Sequence, residues 1–183
     1  MAGGDVTSPG GRIVRLLDRT VGALTFVGAC AGVAILVGIT GLILTEIVLR
    51  AVWNRSIHIV EEYVSYGLGA MIFLALSQAL RAGALVRVDL VVGRLPGALR
   101  RWLEVALALA AAAVVGFLSW YVWISVDRLY QRGTLSVTLA RTPMWIPEAV
   151  MLAGMGLFVL TALVYALRVA TGGPIVDDAG RGE

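Results

Sequence analysis

Four long apolar stretches divide this chain, and segments rich in arginine separate them. They run from about Val21 to Leu49, Ile59 to Leu80, Trp102 to Val126 and Ile146 to Leu167. Each is long enough for the roughly 20 residues that a helix needs to cross a hydrocarbon core of about 30 Å. The pattern predicts an all-α integral membrane protein with four transmembrane helices, leaving room for short interfacial amphipathic helices beside them. The first stretch exceeds the requirement, so it should tilt or project beyond the bilayer.

The segments between the spans refine this picture. Residues 1–11, rich in Gly, Ser and Pro, read as a disordered tail. Residues 12–20 set Ile13, Leu16 and Leu17 against Arg12, Arg15, Asp18 and Arg19, an interfacial lead-in. A short connection, 50–58, joins the first two spans. The second connection, 81–101, carries five arginines and an interleaved run of Val86, Val88, Leu90, Val91 and Val92, with a helix break at Pro96. The third connection, 127–145, holds Gly133 and Pro143, and a tail, 168–183, follows the last span. Trp102, Trp120, Trp123 and Trp145 lie near span ends, where interfacial aromatic belts form.

Composition agrees with a membrane class. Apolar residues make up 59% of the 183 positions, above the usual share of a soluble domain. All 15 basic residues are arginines and the formal net charge is +3. Because those arginines sit between apolar runs, they read as topology signals, and nucleic acid is not an expected partner. The amino-terminal segment, second connection and tail together hold 10 arginines, against 5 in the first and third connections. That bias places both termini in the cytoplasm. One cysteine, Cys30, and one histidine, His58, build neither an internal disulfide nor a multi-ligand metal or haem site, so no cofactor is expected. Phosphate loops, nucleophile elbows and zinc spacings are missing from the sequence, and an enzyme is not expected. The spans show no inverted repeat of the kind that marks a complete transporter site.

Several polar residues within or beside the spans are candidates for interaction. Glu46 could be a coupling carboxylate, although Arg50 one turn on offers an i, i+4 partner. Glu61 and Glu62 open the second span, where the positive end of the helix dipole favours carboxylates. As neighbours they point about 100° apart and do not share one centre, so a partner interface suits them better than catalysis. Arg81, Arg87 and Asp89 could hold a surface segment through charge-assisted hydrogen bonds, or bind anionic lipid headgroups. Gly28 and Gly32 form a G-x-x-x-G pair that would let helices pack closely.

Two stretches carry a family resemblance. Arg50-Ala51-Val52-Trp53-Asn54-Arg55-Ser56-Ile57, followed by Glu61-Glu62, is one. Ala79-Leu80-Arg81-Ala82-Gly83-Ala84-Leu85-Val86-Arg87-Val88-Asp89-Leu90, followed by Leu95-Pro96, is the other. Their order on a four-span chain resembles the DctQ-like small permease subunit of tripartite ATP-independent periplasmic transporters. Gly133, Ser136, Pro143, Trp145 and Pro147 look like that family's approach to its fourth helix. Leu85 stands where the family pattern has histidine.

The resemblance implies a non-catalytic inner-membrane subunit of a sodium-coupled importer of organic acids. Its partners would be a large permease subunit, which carries the transport site, and a periplasmic solute-binding protein. The interface candidates would then be Arg50, Glu61, Glu62, Arg81, Arg87 and Asp89. The competing expectation is a self-sufficient four-helix exporter that uses Glu46.

Overall fold

The computed structural model describes residues 9–54, 60–82, 97–136 and 141–171. Four helices carry almost all of these residues: α1 (Pro9–Trp53), α2 (Val60–Arg81), α3 (Gly97–Arg132) and α4 (Trp145–Ala170). All four are long and apolar enough to span a membrane. The chain is therefore an all-α membrane protein with four spans.

Helix α1 is one unbroken element of 45 residues, about 68 Å long. It takes in the stretch read as an interfacial lead-in, the first span and the start of the first connection. Its only proline, Pro9, stands at the first helical position, where a missing N–H is harmless, so nothing interrupts it until Asn54, which has φ 52°. Helix α3 likewise extends beyond the apolar run read as its span, from Gly97 directly after Pro96 to Arg132. Its polar last turns are supported by a Gln131 Nε2 to Asp127 Oδ2 hydrogen bond of 2.8 Å.

Helix α4 is the centre of the bundle and packs on each of the other three helices. Of its apolar window 44% is buried, against 17% in each of the others. Towards α3 it buries Tyr165, Ala166 and Val169 against Val105 and Ala108. Farther along, Phe158 and Ala162 meet Ala112 of α3 and Leu80 of α2. The closest backbone approach is at Gly154, where an added Cβ would lie 2.8 Å from the carbonyl carbon of Phe73. Without a hydrophobic force between helices in lipid, such small-residue contacts set the packing.

The described residues on either side of the α3–α4 connection, 133–136 and 141–144, lie close together. Gly133 takes φ 58°, a conformation open to glycine at little cost, and Arg141 also has a positive φ of 45°. Beside them, Leu135 and Pro143 form an isolated antiparallel bridge, with Ser136 N–H donating to Thr142 O at 2.9 Å. An edge-to-face contact of Tyr130 and Trp145, centroids 5.5 Å apart, closes the base of this connection.

Candidate functional site

The main polar constellation joins all four helices near one end of the bundle. Asp18, from the first turns of α1, accepts a hydrogen bond from Arg81 Nη1 of α2, with 3.0 Å to Oδ1; the same nitrogen donates to the Asp18 carbonyl at 3.1 Å. Arg168 of α4 reaches Asp18 Oδ2 at 3.4 Å. The Arg168 guanidinium also lies 6.0 Å from the ring centroid of Tyr165. Tyr165 in turn donates its hydroxyl to Glu104 Oε2 of α3 at 3.0 Å. Glu104 and Tyr165 are only 6% and 7% exposed, so this bond forms inside the protein.

Each member is placed by a simple local rule. Arg81 and Arg168 are the last charged positions of α2 and α4, and Asp18 lies in the charged stretch that precedes the apolar run of α1, so all three side chains still reach the interface. Glu104 is about two turns inside α3 and its carboxylate would be costly there without a donor, which Tyr165 supplies. The cavity among Asp18, Leu80, Arg81, Thr161, Tyr165 and Arg168 measures about 40 Å³, room for a water or two. It is too small for an organic solute. The arrangement can hold the four helices in register.

A second polar group lies at the opposite end. Tyr66 donates to Glu62 Oε1 at 2.9 Å and shares a hydrogen bond with Ser136 of the α3–α4 turn. The hydroxyls of Tyr63 and Thr142 are 3.2 Å apart, a second tie from α2 to that turn. Glu148, in the first turn of α4, has an Oε2 that is buried with no hydrogen-bond partner among the described residues.

The residues singled out from sequence are distributed across these regions. Arg81 is in the first cluster, paired with Asp18; Arg87 and Asp89 lie outside the described residues. Glu62 is in the second, whereas Glu61 is exposed and its carbonyl accepts the Ser65 hydroxyl at 2.8 Å. Arg50 pairs with Glu46 at 3.0 Å along α1, apart from both clusters. Gly28 and Gly32 face α2: a Cβ on either would lie 3.3 Å from a backbone oxygen, of Leu74 and Met71 respectively. Cys30 is a free, exposed cysteine within α1, and His58 is outside the described residues. No group of three or more metal-ligating side chains occurs among the described residues.

Sequence reasoning missed Asp18, Glu104, Tyr165 and Arg168 as a set. Their separations of 61 to 150 positions leave no local spacing to read.

Comparison with known families decides the class. Residues 39–172, more than half of the chain, match the family model described as tripartite ATP-independent periplasmic transporters, DctQ component. The chain belongs to this DctQ family. It is thus a small membrane subunit of a tripartite transporter, a class that includes a large permease and a solute-binding protein. No match was found to a curated protein or to a solved structure. The DctQ match covers Arg81, Glu104, Tyr165 and Arg168 but begins after Asp18, so the α1 member of the cluster lies outside it.

Proposed function

We propose that this DctQ-family chain is a non-catalytic brace for the large permease subunit in a sodium-coupled, binding-protein-dependent importer of organic acids. It sits in the bacterial inner membrane with both termini in the cytoplasm, an orientation that the arginine bias supports. The observation that carries this reading is the Asp18, Arg81, Arg168, Tyr165 and Glu104 chain of contacts. It uses the half-buried charges of Asp18, Arg81 and Arg168 and the buried Tyr165–Glu104 pair to fasten four helices together.

A translocation site would instead keep polar groups available to solute and ion. A fixed scaffold for a moving partner needs the opposite, a bundle whose register does not change. On this reading Gly28 and Gly32 serve packing within the chain, while the arginines at the Asp18 end also meet anionic headgroups. Glu62 stabilises the turn that faces the binding protein.

Co-expression with the large permease and binding protein, followed by reconstitution in liposomes, tests the proposal. Uptake of an organic acid should require all three proteins and an inward sodium gradient. Transport by the permease and binding protein at the same rate without this chain would refute the bracing role. Transport by this chain alone would support the exporter expectation instead.

A further inference from the structure

The two ends of α1 are packed very differently. Its buried positions, Val21, Thr25, Gly28, Gly32 and Ile39, follow one helical stripe, and no position from Thr40 to Trp53 is buried. The reason lies in register. Gly28 meets Leu74, Gly32 meets Met71, and Ile35 and Ile39 meet Gly67. Continuing that antiparallel pairing brings the start of α2, Val60, level with about Ile43. Gly28 also meets Leu157 of α4, and Asp18 meets Arg168, so α4 starts level with about Thr40. The last ten or so residues of α1 therefore rise about 15 Å past the ends of α2 and α4.

The overhang has the wrong composition for water. Leu44, Ile47, Val48, Val52 and Trp53 are each between 52% and 64% exposed. The end of α3 shows the alternative: as it reaches the level of Trp145 it turns polar, with Asp127, Arg128, Gln131 and Arg132. Tilting cannot bring the whole of α1 into the hydrocarbon. It runs beside α2, whose 22 residues span about 33 Å and fill the membrane with little tilt.

The exposed face of α1 is also shaped for a close neighbour. Gly38 and Gly41 have nothing within 4 Å of an added Cβ. At helical spacing they share a face with Thr45, Val48 and Val52. Thr45 donates to the Gly41 carbonyl at 2.8 Å, so its hydroxyl is satisfied within the helix and the face stays apolar. Glu46 and Arg50 pair on another side, towards the line of α2. The result is a small-residue notch at the membrane boundary that leads into an apolar ridge beyond it.

We infer that the α1 face made by Gly38, Gly41, Leu44, Val48 and Val52 is where a transmembrane helix of the large permease subunit docks. The inference rests on the bracing role above and assigns it a surface. The face continues from the bilayer-spanning part of α1 into the overhang. A partner helix embedded in the same membrane matches that continuity, whereas a soluble binding protein could reach only the overhang. Small residues at the notch let two membrane helices approach, and the ridge above supplies contact that lipid tails do not reach.

The test uses the tagged full-length chain co-expressed with the permease encoded beside it and extracted in mild detergent. Gly41→Leu and Val48→Glu should each lower the permease recovered by at least tenfold. Gly156→Leu, at an equally open position on α4, should not change it. A photo-crosslinking residue at Leu44 should form an adduct with the permease. Normal recovery with both α1 variants, or an adduct with a second copy of this chain, overturns the inference while leaving the bracing role standing. Failure of the unaltered chain to recover any permease overturns both.

Discussion

The two halves of α1 have similar hydropathy and opposite fates. From Asp18 to Ile39 the helix is fastened to α2 and α4 by an ion pair, by glycines against backbone and by a stripe of buried side chains. From Thr40 to Trp53 it carries similarly apolar residues, and none of these positions is buried. The difference teaches that hydrophobicity gives membrane residence, while small residues and satisfied charges give a helix its neighbours. The face of α1 opposite its buried stripe is open at Gly38 and Gly41 and stays exposed through Val48 and Val52, past the ends of α2 and α4, which points to a partner outside the chain.

Leucine substitutions would separate the halves most strongly. At Gly28 a Cβ already meets Leu157 at 3.1 Å and the Leu74 carbonyl at 3.3 Å, so Gly28→Leu should cost about 3 kcal/mol and lower the thermal unfolding temperature in detergent. Removing the carboxylate with Asp18→Ala leaves Arg81 and Arg168 facing each other and should destabilise the bundle by about 2 kcal/mol, read by the same melt. In Tyr165→Phe the buried Glu104 loses a donor, an effect of about 1 kcal/mol that denaturant titration would resolve.

On the other half of α1 the expected changes are small or reversed. Gly41→Leu touches nothing and removes a helix-destabilising residue, so the isolated chain should gain about 0.5 kcal/mol even as permease binding falls. Glu46→Gln should shift stability by less than about 0.5 kcal/mol, because its partner Arg50 is 65% exposed to surroundings. A loss comparable to that of Asp18→Ala would mean that the Glu46 pair, too, fastens the fold.

Much of the architecture is legible in the residues. The spacing of apolar runs predicts four spans, and the Glu62 and Arg81 positions fall at the helix ends where their chemistry suggests. Helix ends were harder to read, since the polar turns of α3 and the charged start of α1 continue as helix for want of a breaker. The polar lock was not legible at all. Asp18 reads locally as one charge of an amphipathic lead-in, and nothing near it names Arg81 or Arg168 as partners.

The sequence by itself determined that this chain lives in a membrane, how often it crosses and to which transporter family it belongs. Those properties depend on hydrophobic length and local pattern, which the bilayer reads one helix at a time. Tertiary structure decided that Arg81 binds Asp18, that α4 is the central helix, and that α1 outruns its neighbours. Pairings across 63 and 150 positions depend on the register of whole helices, which close contacts at Gly28, Gly32 and Gly154 establish.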